Sequence, residues 1–290
     1  MKNIVLFTFI FLLFLTGCSQ EKKRTLNIST NSWIGYAPLF YAKEKGYLSK
    51  LHINLITNVS LAEAADIYDV GKADMVTTTQ HEYYSLKESG HNIVPIILFD
   101  RSKGGDMILS NRTIQELKNS KKIYAYLEID SINTEVLEDF IKHYHLDKKR
   151  FNFINQDQAQ MQDLKPLKNK DIVVVTYVPY NIALEKKGFH EIASTRNMDA
   201  IIVIDSLCTN TELIKHDKKR LKALKHIIDK SINAIQKDKK AAYKLVKPYL
   251  GNISYKEYLH SLQLIQWINK PSQKLLKRIE PMQYNKKDLI

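Results

Sequence analysis

The chain has 290 residues and a formal net charge of +13, from 44 Lys and Arg against 31 Asp and Glu. This length exceeds what a single hydrophobic core usually needs and predicts two lobes. The positive excess lies at the carboxyl-terminal end, where residues 211–290 carry 19 Lys and Arg against 7 Asp and Glu, a net of +12. A solvated helical surface explains this charge, as does attraction to anionic lipid head groups. Nucleic-acid binding is a poor explanation because the amino terminus predicts export.

The first residues have the pattern of an export signal. Lys2 precedes a largely apolar run over residues 4–15, which is shorter than the roughly 20 residues of a membrane-spanning helix but fits a secretory signal. The Leu-Thr-Gly-Cys that follows resembles the bacterial lipobox, which implies removal of residues 1–17 and lipidation of Cys18. Residues 18–24 then form a lipidated tether to a membrane, in the periplasm or at the cell surface. A non-cleaved anchor is the alternative.

Cysteine usage agrees with this interpretation. The chain has 2 cysteines, so lipidation of Cys18 leaves Cys208 without an intrachain disulfide partner. Cys208 ends a largely apolar run, which predicts a buried and inert thiol.

Strand-like and helix-like segments alternate through the first two thirds of the chain. This alternation predicts an α/β fold with largely parallel sheets covered on both faces. After the apolar run at 201–207, three or four helical segments follow from Glu212 onward. The predicted strands are 25–30, 53–59, 75–79 and 93–99 in a first series and 107–110, 123–127, 151–155 and 171–178 in a second. The predicted helices between them begin at Pro38, Leu61, Gln80, Ile132, Ala159 and Pro179.

Two extended segments, near residues 100–107 and 198–204, lie where the series changes. We expect both to cross between lobes, and Gly104 and Gly105 relax the backbone limits where the first must turn. The predicted first lobe consists of residues 25–103 and 203–290, and the predicted second lobe of residues 104–202. Such crossings make a clamp with a cleft, and closure of the cleft is the expected motion.

Three local motifs lie at strand ends or at the first crossing, and ligands of open α/β sheets bind at the carboxyl ends of strands. Asp100 to Asp106 has the pattern D-x-S-x-G-G-D, and Tyr177 to Pro179 has the pattern Y-x-P. A W-x-G-x-x-P pattern followed by A-x-E-x-G is formed by Trp33, Gly35, Pro38, Ala42, Glu44 and Gly46. Together these motifs resemble the ABC-transporter solute-binding proteins for nitrate, sulfonates, taurine and thiamine-pyrimidine precursors, where tryptophan is usual at the position of Tyr177.

The resemblance implies a periplasmic-binding-protein-like fold of type II, with two mixed sheets joined by two hinge crossings and with carboxyl-terminal helices. It implies a monomer that captures a small-molecule solute and passes it to an ABC permease, with no cofactor. One alternative is a lipoprotein that signals to a membrane receptor. A thiamine-pyrimidine synthase-like enzyme is a weaker one, because Cys208 alone cannot supply the cysteine-rich iron-binding segment of that family.

Motifs for catalysis or metal binding are absent from the sequence. The chain has neither a G-x-x-x-x-G-K phosphate loop nor a G-x-S-x-G nucleophile elbow. His143 and His145 point apart on a predicted helix, so we expect neither a zinc site nor an enzyme.

Several aromatic and hydroxyl residues are candidates for the ligand site. Trp33, Tyr36 and Tyr177 offer flat faces for a ring or a cationic head, with core packing as the alternative. Thr77 and Thr78 end a predicted strand beside a T-x-x-E capping box that begins at Thr79. Their hydroxyls suit an oxygen-bearing ligand, and a simply capped helix is the alternative.

Acidic residues occupy a turn where the related family often holds an acidic ligand group with small hydroxyls. Glu128 and Asp130 precede Ser131, a predicted N-cap. Two carboxylates favour an amine, a cationic nitrogen or a hydrogen-bonding ring edge, unless both face solvent. Asp106 either faces the cleft or forms a hinge salt bridge with Arg101 or Arg112. The ligand-binding candidates are therefore Trp33, Tyr36, Thr77, Thr78, Asp106, Glu128, Ser131 and Tyr177.

Overall fold

The computed structural model describes residues 24–198 and 201–290. The predicted signal peptide (1–17), the predicted lipidation site Cys18 and all but the last residue of the predicted tether lie outside the described residues. Within those two ranges, every helix is too short or too polar to cross a membrane.

Strands and helices alternate in the first half of the described chain, as predicted. The elements are β1 (Leu26–Asn31), α1 (Ala37–Glu44), β2 (Ile53–Asn58), α2 (Leu61–Asp69), β3 (Met75–Thr78), α3 (Gln80–Glu88), β4 (Ile93–Ser102), β5 (Asp106–Ser110), α4 (Ile114–Asn119), β6 (Ile123–Leu127) and α5 (Ile132–His143). The capping box predicted at the start of α3 is confirmed. The side chain of Thr79 accepts a hydrogen bond from the backbone of the first turn, and the side chain of Glu82 accepts one from the backbone N–H of Thr79.

Alternation continues in the second half and then gives way to helices. The elements are β7 (Phe151–Asn155), α6 (Gln158–Met161), β8 (Asp171–Tyr177), α7 (Asn181–Lys186), β9 (His190–Ser194), β10 (Ile204–Asn210), α8 (Thr211–Lys237), α9 (Lys239–Val246), α10 (Tyr255–Gln263), β11 (Ile265–Trp267) and α11 (Gln273–Ile279). The pattern did not predict α4, β9 or β11.

The strands form two mixed sheets, which confirms the predicted α/β class. The first has the order β11-β4-β10-β3-β1-β2, with β1 parallel to β2 and β3, and with β10 antiparallel to β3 and β4. The second has the order β7-β6-β8-β5-β9, with β6 parallel to β7 and β8, and with β5 antiparallel to β8 and β9. The expectation of largely parallel sheets was wrong, because β5, β9, β10 and β11 pair in antiparallel fashion.

The chain passes from the first sheet to the second between β4 and β5, and it returns between β9 and β10. We call residues 24–102 and 204–290 the first lobe and residues 106–194 the second lobe. The exact domain boundaries given above remain a prediction.

Helix α8 packs against the first lobe through one apolar face. Leu221, Leu224 and Ile228 on this face are buried, and their spacing of three and four residues is that of an amphipathic helix. Arg220 Nη1 donates to the carbonyl of Arg24 at 2.7 Å, so the beginning of the described chain is held against this helix. Cys208 on β10 is buried as predicted, and burial raises the pKa of its thiol to about 11.

Replacement of Leu224 by Ala tests the packing of α8. Leu224 is fully buried, so Leu224→Ala should lower the free energy of unfolding by about 2–5 kcal/mol through lost contacts and a cavity. Urea unfolding followed by circular dichroism measures the loss. Lys222→Ala, at an exposed position of the same helix, is the control and should change stability by less than about 0.5 kcal/mol. Equal losses in the two variants would contradict the assigned face.

Candidate functional site

The two lobes meet at strand ends that carry polar side chains. Asn31 ends β1 in the first lobe, and its Nδ2 donates to the hydroxyl of Tyr177, which ends β8 in the second lobe, at 2.9 Å. Nearby, the hydroxyl of Tyr180 donates to the carbonyl of Val59 at 2.8 Å. Direct hydrogen bonds therefore join the two lobes.

Aromatic rings line this boundary. Trp33 of the first lobe meets Tyr177 of the second edge to face, with 5.8 Å between the ring centroids. Trp33 Nε1 donates to Asp100 Oδ2 at 3.3 Å, and the hydroxyl of Tyr36 donates to Asp205 Oδ1 at 2.7 Å. All three rings are buried. The aromatic residues predicted for the site therefore lie beside buried carboxyl groups.

Two glycines make this packing possible. A Cβ atom on Gly35 would lie 1.8 Å from Asp100 Oδ2, and one on Gly105 would lie 2.4 Å from Trp33 Cη2. Because these distances are far below contact distance, a side chain at either position would displace the carboxyl group or the indole. The glycines of the W-x-G-x-x-P and D-x-S-x-G-G-D motifs thus have a steric role in the site.

Asp100 and Asp205 stand directly opposite each other on the antiparallel strands β4 and β10. Both are buried, and burial raises the pKa of each well above its ordinary range. The neighbouring Asp106 charge raises both further, and Asp100 also acts on Asp205. Burial likewise raises the pKa of Asp106 to about 7, with a contribution from Glu82. Carboxyl groups of like charge therefore share one low-dielectric region.

Glu128 is a second buried acid of the second lobe, after Asp106. It is 4% exposed, and burial raises its pKa to about 8, with the charges of Glu82 and Asp157 adding to the shift. Burial raises the pKa of Tyr177 well above its ordinary range, and the charge of Glu128 raises it further.

Within the described residues, five buried oxygens in this region have no hydrogen-bond partner. Asn31 Oδ1 is an acceptor, and the four carboxyl oxygens are acceptors when their groups are ionised. An unpaired polar atom in a dry site carries a desolvation cost of about 1–3 kcal/mol. The five oxygens are Asn31 Oδ1, Asp100 Oδ1, Asp106 Oδ2, Glu128 Oε2 and Asp205 Oδ2. A molecule enclosed here would be held best by N–H or O–H donors.

Glu82 links the acidic region to a helix of the opposite lobe. Besides accepting from Thr79 in its capping box, it accepts from the backbone N–H of Ile132, the first residue of α5, at 3.0 Å. His81 Nδ1 contacts Glu135 Oε1 at 2.9 Å across the same boundary. Glu82 of the first lobe thus accepts a hydrogen bond from the first N–H group of helix α5 in the second lobe.

The predicted site residues fall into two groups. Trp33 and Tyr177 touch across the lobe boundary, and Trp33 and Tyr36 each donate to a buried carboxyl group. The charge of Asp106 acts on Asp100, and that of Glu128 acts on Tyr177. Ser131 caps α5 by accepting from Asn133 N at 3.2 Å and donates to the carbonyl of Glu128 at 3.0 Å. The hydroxyls of Thr77 and Thr78 contact first-sheet residues, namely Thr30 at 3.1 Å, Ser206 at 3.2 Å and Cys208 at 3.2 Å. Arg112, a possible partner of Asp106, pairs instead with Asp171 at 2.6 Å.

Sequence patterns did not single out Asn31, Glu82 or Asp205 as site residues. Asp205 alone carried a signal, because it is a single acid within the apolar run 201–207. Glu82 was assigned only its local capping role. Throughout the two described ranges, His, Cys, Asp and Glu side chains form no group that could hold a metal ion.

Comparison with known proteins identifies the family and the fold. The sequence profile described as NMT1/THI5 like matches residues 33–242. Among curated proteins, none matches the chain. The alkanesulfonate-binding protein SsuA of Xanthomonas axonopodis pv. citri, bound to MOPS, is 12% identical, with a TM-score of 0.72 over 92% of this chain and 98% of that one.

Two further solved structures are similar. A ligand-binding component of an ABC-type import system from Staphylococcus aureus, with zinc bound, is 16% identical, with a TM-score of 0.70 over 92% of this chain and 96% of that one. The periplasmic nitrate-binding protein NrtA of Synechocystis PCC 6803 is 13% identical, with a TM-score of 0.63 over 81% of this chain and 69% of that one. At these identities the likeness shows a shared fold, which confirms the predicted periplasmic-binding-protein architecture.

Stability of the ligand-free protein should fall as the pH rises from about 5 to about 8. Asp106 and Glu128 have pKa values raised to about 7 and about 8 in the folded protein, against roughly 4 when unfolded. The folded state therefore holds protons that the unfolded state releases, and each group contributes up to about 1.4 kcal/mol per pH unit. Urea unfolding at a series of pH values measures this slope.

Two variants identify the groups responsible. Asp106→Asn and Glu128→Gln should each make the slope shallower, since neither new side chain titrates. Glu116→Gln is the control, because Glu116 is exposed and hydrogen bonds from Thr113 lower its pKa, which places its titration below this pH range. An unchanged slope in both site variants would contradict the assignment.

Proposed function

The chain belongs to the NMT1/THI5-like family, and on this basis we propose that it is a lipid-anchored extracytoplasmic solute receptor. As a monomer, it captures a small organic solute between its two lobes and delivers it to the permease of an ABC importer. The proposal assigns binding without chemistry, and so no catalytic residue and no cofactor. Support comes from the names of proteins that share the fold, which state alkanesulfonate binding, nitrate binding and ABC-type import.

One observation carries the proposal above all. The buried oxygens without partners lie where strand ends of both lobes meet, beside the aromatic pair Trp33 and Tyr177. An arrangement optimised only for stability would pair such acceptors, because each costs free energy when buried alone. A solute with donor groups would satisfy them and hold the lobes together.

The charge of the site favours an amine or a ring with N–H donors over a sulfonate or nitrate. Helix amino termini are ordinary anion sites, but Glu82 already accepts from the first N–H group of α5. Asp100 and Asp106 raise the pKa of Asp205, and Glu128 is a further buried acid. Any ionised carboxyl group among these four repels an anion. A pyrimidine-like or amine-like solute is therefore the preferred class.

The position of Arg24 supports the proposed anchor. The six residues from Cys18 to residue 23 span at most about 20 Å when extended, and Arg24 is held against α8 by Arg220. Exposed lysines on α8, including Lys218, Lys219 and Lys222, would then lie close to the membrane. Anionic head groups attract such residues by about 1 kcal/mol each.

Substitution of Cys18 tests the anchor. Cys18→Ser should abolish incorporation of labelled palmitate, because the acylated thiol is lost. Cys208→Ser is the control, since Cys208 is buried, and it should still incorporate the label. Incorporation of palmitate into Cys18→Ser would contradict lipidation at this residue.

A panel of solutes tests the receptor function. Taurine, an alkanesulfonate, nitrate, aminopyrimidines and small amines should be compared by thermal shift, and a solute present at 100 times its Kd should add about 2.7 kcal/mol of stability. We expect an aminopyrimidine or amine to stabilise the fold and nitrate not to do so. Trp33→Ala should weaken the effect, whereas Val70→Ala, at an exposed position after α2, should not. A panel without any stabilising solute would count against a receptor for these classes.

A further inference from the structure

A cavity of about 460 Å³ opens between the lobes next to Glu128. Its first-lobe wall is the beginning of α2, and its second-lobe wall comes from the segments that follow β6 and β7. We call it the acidic cavity, after the carboxylates that line it: Glu63, Asp66, Glu128, Asp130 and Asp157.

The charges that line the acidic cavity are negative, whereas the net charge of the chain is positive. None of its lining residues is Lys, Arg or His, although Lys and Arg outnumber Asp and Glu by 44 to 31 in the sequence. The charges also act on one another across the lobe boundary. Burial raises the pKa of Asp66, and Asp69, Asp130 and Glu63 raise it further. A concave site with one sign of charge concentrates ions of the opposite sign.

Two of the five carboxylates have structural roles. Glu63 accepts from the backbone N–H of Val59 at 2.8 Å, and Asp157 accepts from that of Gln160 at 2.8 Å. These bonds cap the first turns of α2 and α6 and would exist without a ligand. They explain part of the acidic lining but not Glu128.

Glu128 is the independent sign of a ligand. It lines the cavity, is 4% exposed, and its Oε2 has no hydrogen-bond partner among the described residues. Burial raises the pKa of Glu128 to about 8, although hydrogen bonds from Ser60 and Gln158 to its carboxyl group lower it. A buried carboxyl oxygen at a cavity wall, without a donor, lacks the positive group that would let it ionise at neutral pH.

The chemistry of the wall selects among positive ligands. The described residues contain no group of His, Cys, Asp and Glu placed to hold a metal ion, which disfavours a divalent cation. A primary ammonium group is compact and brings three N–H donors. Val59 at the rim is 46% exposed and offers an apolar contact to the carbon chain of such a ligand.

We propose that the acidic cavity binds the protonated primary amine of an organic solute, with the Glu128 carboxylate accepting a hydrogen bond from the ammonium group. This inference rests on the proposed receptor function and narrows its solute to an organic cation. Glu63, Asp66 and Asp130 supply the surrounding negative field.

Four probes of matched chain length test the charge requirement. n-Butylamine, 1,4-diaminobutane, 1-butanol and butane-1-sulfonate should be titrated into the full chain by calorimetry at pH 8 in 0.15 M NaCl. We expect both amines to bind, and the alcohol and the sulfonate to show no measurable binding. Added NaCl should weaken amine binding, because salt screens the field of the exposed carboxylates.

Variants separate the role of Glu128 from general surface charge. Glu128→Gln should weaken n-butylamine binding at least tenfold, whereas Glu191→Gln, an exposed position on β9 of the same lobe, should leave it unchanged. Binding to the unaltered protein should also strengthen as the pH rises towards 8, by up to about tenfold per unit, because Glu128 must release a proton. Glu128→Gln should remove this pH dependence, which a purely structural role of Glu128 would not predict.

The outcomes distinguish this inference from the receptor function itself. If Glu128→Gln binds n-butylamine as tightly as the unaltered protein and with the same pH dependence, the inference is wrong. If neither amine binds but another solute of the earlier panel does, the inference is wrong and the receptor function stands. If no solute in either set binds, both fail.

Discussion

Burial of several carboxyl groups between two lobes is the constraint on which this structure depends. An ionised carboxylate in a medium of low dielectric constant is stable only with a proton, strong donors or a positive partner. Asp100 and Asp205 face each other on paired strands, and the pKa of each is raised by burial and by its acidic neighbours. Protonation meets this requirement in the ligand-free protein, and a donor-rich ligand would meet it in a complex.

The surrounding architecture keeps these groups in place. Gly35 and Gly105 leave room for the Asp100 carboxyl and the Trp33 indole, and Trp33 and Tyr36 each donate to one carboxyl oxygen. Asp100 and Asp205 lie on β4 and β10, the strands nearest the two passages between the sheets. Both carboxyl groups therefore lie near the passages of the chain between the two sheets. Unfavourable burial of this kind is typical of functional sites, where the folded state carries a cost for the sake of binding.

Local sequence signals predicted local structure well. The capping box of Thr79 and Glu82 spans four residues, so its pattern is complete within the sequence, and the structure confirms it. The strand β11, in contrast, has three residues and exists because β4 offers an edge to pair with. A local pattern could not predict the role of Glu82 across the lobe boundary either, because its partner Ile132 is distant in sequence. Trp33 and Tyr177 were found through a resemblance in their motifs, whereas Asp205 has no motif and its importance depends on the strand beside it.

The net charge of the chain says little about the charge of its ligand. Most of the positive excess lies in residues 211–290, whereas the lining of the acidic cavity belongs to residues 59–66 and 128–160. At physiological salt, charges on the surface are largely screened beyond about 8 Å. The potential in the cavity is therefore set by the carboxylates that line it, and lysines on outer helices change it little. The same chain can thus present a basic surface suited to an anionic membrane and an acidic cavity suited to a cation, because each partner responds only to the charges within its reach.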